Sequence, residues 1–226
     1  MQILKGYGDF EILTPEEFLK SQNLIIERAG RTCYQSQRGG ITKESAERFI
    51  AMLIDRGHLS VLEHSILSVK FINCSRGFTH ELVRHRLASF SQESTRYVDE
   101  SNTSFVVPPH RDEKEQIPLD NGQSLSLEQM LSESERYYRA LRKHGWPPED
   151  ARQILPIAIK AEIVITANFR EWRHIFESRT QRAAHWEIRE VMCKLLETIK
   201  TLVPAVFDDF VLAGKDNNGI PYYKME

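Results

Sequence analysis

The sequence predicts an α+β fold, a mixed β-sheet packed by helices, and three observations carry that prediction. Residues 65–72 and 157–168 alternate Ile, Leu, Val, Phe or Ala with other residues, as strands with one buried face do. Helical stretches stand before, between and after them, without the repeated strand–helix–strand units of a doubly wound sheet. The 226 residues are 41% hydrophobic and 27% charged, so the chain can bury a sizeable core, and residues 1–226 are expected to form a single domain.

Residues 9–13 read as a short strand. Thr14-Pro15-Glu16-Glu17 opens a helix to about Arg31, with Thr14 as N-cap, Pro15 at N1 and Glu17 at N3. A second helix over residues 43–55 carries Phe49, Met52 and Leu53 on an apolar stripe and stops before Gly57. After the strand at 65–72, residues 77–86 look helical. Residues 87–104 are crowded with Ser, Thr, Gln and Asn and favour an irregular loop, as does the polar stretch 108–121. A long helix covers 125–143, stopped by Gly145 and Pro147-Pro148. A short helix at 149–155 ends at Pro156. The clearest strand, 157–168, has Ile159, Ala161, Ile163 and Ile165 in alternation, and helices follow at 171–178 and 184–203.

Composition excludes several classes of function. A formal net charge of -2 and a pI near 6.5 speak against a nucleic-acid-binding module, which would be basic. No apolar run approaches the roughly 20 residues that span a bilayer, and the N-terminal segment lacks the marks of a secretory signal. Cys33, Cys74 and Cys193 are an odd, scattered set without CxxC spacing, which fits a reducing, cytoplasmic setting and neither a disulfide framework nor a zinc site. His58, Glu63 and His64 match neither HExxH nor HxxEH, so no metal is expected. No GxGxxG fingerprint appears either, so a dinucleotide would not lie in a Rossmann crevice.

The densest chemical signal is Arg84-His85-Arg86, followed after seven residues by Ser94 and then by Arg96 and Tyr97. Guanidinium forks bind phosphate through paired, charge-assisted hydrogen bonds. The Ser, Thr and Gln side chains beside them can read sugar hydroxyls and base edges. The alternative is a solvated basic helix end that complements the helix dipole.

RHR-x7-S resembles the signature of the flavin-dependent thymidylate synthases, matched in full by Arg84, His85, Arg86 and Ser94. The likeness extends from Arg31-Thr32-Cys33-Tyr34 through His58 and Glu63-His64 to Arg179 and Ala184-His185-Trp186-Glu187. It implies a thymidylate synthase-complementing-type fold and a homotetramer with sites shared between subunits. It implies FAD contacts from Ser60, Arg84, His85, Arg86, Asn168, Phe169, Arg170 and His174. It places dUMP at Glu81, Leu82, Val83 and Arg84, at Gln92, Glu93, Ser94, Thr95 and Arg96, and at Arg152 and Arg179. Glu81 stands where many relatives have Gln, which keeps an acceptor and removes an amide donor. Arg152 on its own reads more readily as a solvated arginine on a capped helix.

Arg179 matches the arginine that polarises the uracil ring and favours ionisation at N3. A guanidinium stays charged at every relevant pH and stabilises negative charge developing on the pyrimidine; an ion pair with Glu177 or Glu187 is the competing reading. The implied reaction is reductive methylation of dUMP to dTMP, with 5,10-methylenetetrahydrofolate as one-carbon donor and NADPH as reductant through FAD. No cysteine nucleophile takes part, and Ser94 has a binding and activating role in preference to a nucleophilic one. A nucleotide-binding flavoprotein of the same fold without thymidylate synthesis is the alternative.

Overall fold

The computed structural model describes residues 1–6, 8–33, 35–36 and 39–226, so Tyr34 of the resemblance lies outside the described residues. The chain opens with β1 (Gln2–Lys5) and β2 (Asp9–Ile12), followed by α1 (Glu16–Cys33) and α2 (Lys43–Asp55). α1 buries Leu19, Gln22, Asn23, Ile26, Glu27 and Gly30, the stripe of a helix packed on one side. Gly30 is needed for that packing, because an added Cβ would meet the Phe49 ring of α2 at 2.5 Å. A capping box of Thr42 and Ser45 starts α2. Gly57, with φ of +70°, follows its end in the left-handed conformation expected there. Thr14, expected to cap α1, accepts a hydrogen bond from the Ser68 N–H at 2.8 Å.

A 3₁₀ turn (Leu59–His64) leads to β3 (Leu67–Ser75), α3 (Arg76–Leu82) and β4 (Ser89–Gln92). Two expectations are corrected here. The helix predicted to reach residue 86 ends at Leu82, so Arg84-His85-Arg86 forms the turn after it. The triplet runs exposed, buried, exposed, an alternation suited to turning backbone more than to a helical face. The loop predicted from residue 87 contains β4, where sheet pairing overrides a polar composition of low strand propensity.

The remaining elements are β5 (Ser104–Val107), β6 (Ile117–Pro118), β7 (Ser124–Leu125), α4 (Leu127–Lys143), α5 (Pro148–Ala151), a 3₁₀ turn (Arg152–Ile154), β8 (Lys160–Ala167), α6 (Phe169–Arg179), α7 (Trp186–Leu202), α8 (Pro204–Phe207), β9 (Phe210–Lys215) and β10 (Pro221–Met225). Strands β2, β3, β8 and β4 form a four-stranded sheet in that order, β1 pairs with β5, β6 with β7, and β9 with β10. The β1–β5 pairing is parallel and β9–β10 is an antiparallel hairpin, so the fold is α+β, with several small sheets and helices. No described helix is long and apolar enough to cross a membrane.

The chain divides into two compact units, residues 1–9, 71–82 and 91–163 in the first, and 10–70, 83–90 and 164–226 in the second. Phe105, Val107, Leu131 and Ile159 form a core cluster in the first unit. In the second, Phe176 packs its ring against Trp172, Phe207 and Phe210, and the Trp172 indole donates to the Leu67 carbonyl at 3.0 Å. That bond satisfies the one polar atom of a fully buried side chain.

Candidate functional site

In the second unit, α6 presents chemistry on one stripe and core on the other. Phe169, Trp172, Ile175 and Phe176 are fully buried. Asn168 caps the helix, its side-chain oxygen accepting from the Glu171 N–H at 2.9 Å. From the last turn, Arg179 donates its Nε–H to His85 Nε2 at 3.0 Å. His85 is 5% exposed, its Nδ1 lies 3.6 Å from Glu171 Oε1, and its ring meets the His174 ring edge-on at 5.5 Å between centroids.

Burial first, and then Arg179 and His174, push the His85 imidazole down to about 4. It is therefore neutral near pH 7 and free to accept at Nε2, which leaves its proton on Nδ1, facing Glu171. Burial raises the Glu171 carboxyl, with His174 opposing it.

A groove of about 600 Å³ beside this cluster is lined by Leu59, Glu63, Leu87, Asn168, Arg170, Glu171, Arg173, His174, Glu177 and Met225. Arg86 and Ser89 line a second recess that shares Leu87 and Asn168 with it. Arg170 pairs with Glu63, and Leu87 stands 77% exposed. The Phe169 side chain is in the core and only its backbone is near this site; its N–H donates to Ser65 Oγ at 2.9 Å. Ser60 is exposed within the 3₁₀ turn, and Arg84 is exposed beside His85.

The first unit gathers a different set. Arg152 donates from Nη1 to Thr95 Oγ1 at 3.0 Å and from Nε to the Glu149 carbonyl at 3.1 Å. Arg76 donates to the Glu93 carbonyl at 3.0 Å. Burial pulls the Arg76 guanidinium down while Glu100 and Glu93 oppose the shift, so it remains a cation. Arg76, His80, Thr95, Arg152 and Gln153 line a cavity of about 410 Å³ with Leu155, Pro156, Ile157 and Ile159. Two cations and a hydroxyl around one cavity suit an anionic, phosphorylated ligand.

Other predicted nucleotide contacts are committed to the scaffold. Gln92 donates to Thr79 Oγ1 at 2.6 Å, and Glu93 Oε2 accepts from the Glu162 N–H at 3.1 Å. Ser94 Oγ accepts from the Arg96 N–H at 3.3 Å, while Arg96 pairs with Glu149 at 3.0 Å. Leu82 is core, Val83 is exposed and Glu81 is half-buried. Sequence reasoning did not single out Arg76 or Glu171. The signal for Arg76 was a lone arginine between two runs that turn out to be buried, Cys74-Ser75 and Phe78-Thr79. Among the described residues, no three His, Cys, Asp or Glu side chains are gathered to hold a metal ion.

Comparison with known proteins gives a family match, two relatives and a solved structure of similar fold. The family described as thymidylate synthase complementing protein matches residues 17–205. A flavin-dependent thymidylate synthase of Mycobacterium avium (strain 104) is 36% identical over 199 residues, 84% of this chain and 80% of that one. Its counterpart from Mycobacterium tuberculosis (strain ATCC 25177 / H37Ra) is 35% identical over 196 residues, 82% and 78% of the two chains. Among solved structures, the UMP/dUMP methylase PolB from Streptomyces cacaoi, bound with 5-Br dUMP, is similar with a TM-score of 0.72. That likeness covers 92% of this chain and 96% of that one at 21% identity, a similarity of fold.

Proposed function

The chain belongs to the flavin-dependent thymidylate synthases, and from that premise we propose that its two side-chain clusters hold the flavin and the nucleotide of dTMP synthesis. The reaction is the reductive methylation of dUMP to dTMP, with 5,10-methylenetetrahydrofolate as one-carbon donor and NADPH as reductant. Hydride chemistry that completes the methyl group is supplied by bound FAD. Residues 1–226 act as one domain in this reading.

The donor set of the second unit fits FAD. Arg84 and Arg86 are exposed guanidiniums for a diphosphate. Leu87, Leu59 and the His174 ring offer surfaces for a flat ring system, and Ser60, Asn168 and Arg170 add polar contacts at its edge. Phe169 and His85 are buried and serve the site by shaping it.

The cavity of the first unit fits the nucleotide. Arg76 and Arg152 neutralise phosphate, with the hydroxyl that Thr95 shares with Arg152 as a further contact. Gln92, Glu93, Ser94 and Arg96 hold the shape of the loop through the bonds described above. Glu81, Val83 and Arg84 remain accessible for binding, whereas Leu82 is packed in the core. In an active form whose sites are shared between subunits, Arg179 stabilises negative charge as N3 of the pyrimidine ionises, and so enriches C5 without covalent attack by the protein.

Two of the three cysteines agree with that assignment, while Cys33 is exposed. Cys74 and Cys193 are buried, and burial pushes the Cys193 thiol up to about 12, whereas a nucleophilic cysteine needs an accessible, electropositive setting. The active form is a homotetramer with sites shared between subunits. Three cysteines outside any disulfide suit a cytoplasmic setting.

One observation carries this reading: Arg152 and Thr95, drawn from two separate predicted nucleotide segments 57 residues apart, meet at one anion-suited cavity. The test is dTMP formation by purified, FAD-containing protein from dUMP, methylenetetrahydrofolate and NADPH. Yellow protein that binds dUMP and makes no dTMP would overturn it.

A further inference from the structure

We infer that His85 is a positioning residue for Arg179: its buried, neutral imidazole accepts the Arg179 Nε–H and so aims the terminal N–H groups of the guanidinium. The inference rests on the proposed role of Arg179 and gives His85 a role other than contact with flavin. A guanidinium on a flexible side chain samples many rotamers, and binding a planar pyrimidine rewards one of them. Three observations show how that orientation is selected.

The acceptor is direct, at 3.0 Å from Arg179 Nε, and it engages the one N–H that lies off the guanidinium's distal edge. The imidazole itself cannot swing away, because it is 5% exposed and wedged against the His174 ring. Its tautomer is also biased. With Nε2 accepting, the proton sits on Nδ1 and faces the Glu171 carboxyl at 3.6 Å, an electrostatic preference at a separation too long for a hydrogen bond. A protonated imidazole would instead turn an N–H toward the guanidinium and repel it. The charged and titratable groups facing His85 are Glu171 and His174 from the body of α6 and Arg179 from its end.

The backbone behind Arg179 is held as firmly as its side chain. The Tyr223 N–H donates to the carbonyl of Thr180, the next residue, at 2.9 Å. Arg173, a turn and a half earlier on α6, grips Asp209 through both terminal nitrogens. With helix and hairpin joined, the His85 acceptor bears directly on the orientation of the Arg179 side chain.

The test compares His85→Gln, which retains an acceptor near the ε position, with His85→Leu, which removes it, in protein loaded with FAD. His85→Leu is expected to lower kcat for dTMP formation by about 10²-fold with flavin still bound and KM for dUMP little changed. His85→Gln is expected to recover most of that loss. Equal impairment in the two variants, or activity of His85→Leu restored by added FAD, would overturn the proposal. A readout independent of turnover is ¹⁵N NMR of the imidazole in wild-type protein between pH 6 and 8. Protonated Nδ1 and unprotonated Nε2 are expected, and a protonated Nε2 would refute the inference. Wild-type protein that makes no dTMP yet shows the Nδ1–H tautomer would sink the functional reading and leave this hydrogen bond standing.

Discussion

Acid should destabilise this protein through His85, and replacing that residue should flatten the response. The folded imidazole titrates at about 4 against an ordinary 6.5, with burial as the main cause. Between those values the unfolded chain binds a proton that the folded chain refuses. Stability is therefore complete above about pH 6.5 and falls as the pH drops toward 4. At pH 5 the loss from this one group is about 2 kcal/mol, since each tenfold rise in proton activity below pH 6.5 costs roughly 1.4 kcal/mol. For a chain of this length that is a fall in Tm of roughly 4–8 °C.

The assay is thermal unfolding of wild type and His85→Gln at pH 7 and pH 5, and the quantity that matters is the difference between their acid shifts. Glu100, Glu171 and Glu190 have carboxyls raised by burial. Their folded forms take up protons first as the pH falls, which opposes the histidine in both proteins and largely cancels in the comparison. The wild type should lose more Tm than the variant by the stated margin. Parallel shifts in the two proteins would show that His85 is not held neutral in the fold, and the acceptor argument for Arg179 would fall with it.

Arg179→Ala should lower dTMP turnover by about 10²–10³-fold while flavin stays bound, the scale of losing one charge-stabilising donor; unaltered turnover would remove Arg179 from the mechanism. Arg76→Ala and Arg152→Ala should each weaken dUMP binding by roughly 10-fold or more, read by calorimetry, because each deletes a charge-assisted contact; unchanged affinity in both would move the phosphate elsewhere. Cys33→Ala, Cys74→Ala and Cys193→Ala should each retain turnover in an activity assay, and total loss in any one with the fold intact would reopen thiolate catalysis. Gly30→Ala should cost about 1–3 kcal/mol in denaturant unfolding, since its Cβ would press the Phe49 ring at 2.5 Å; undiminished stability would show that α1 and α2 separate easily.

What could be read from the sequence was whatever carries its own local pattern. α2 and α4 were visible through their periodicity and stop glycines, and β8 through its alternation. β1 was not, because its four residues acquire strand character only by parallel pairing with Ser104–Val107, a hundred residues on. The β9–β10 hairpin was missed for a similar reason: its register shifts between Tyr222 and Tyr223, so no clean period of two survives. At the site, the resemblance located His85 and Arg179 but could not join them, since their bond crosses 94 residues. It also named Phe169 for the cofactor, and only tertiary structure reveals that the ring turns into the core.

α6 explains why the core and the chemistry of this site cannot be engineered separately. Phe169, Trp172 and Phe176 anchor one side of the helix in the aromatic core. Asn168, Glu171, His174 and Arg179 belong to its other side or its ends. A helix fixed so tightly transmits small shifts of packing to the guanidinium at its end, because close-packed interiors have little slack to absorb them. A cavity made at Phe207, which packs edge-on against both Phe169 and Phe176, should therefore impair catalysis beyond its effect on stability. Phe207→Ala should lower kcat at temperatures where the variant is still fully folded, with a smaller change in KM for dUMP. Full kcat under those conditions would mean that the His85 bond alone fixes Arg179, whatever the helix behind it does.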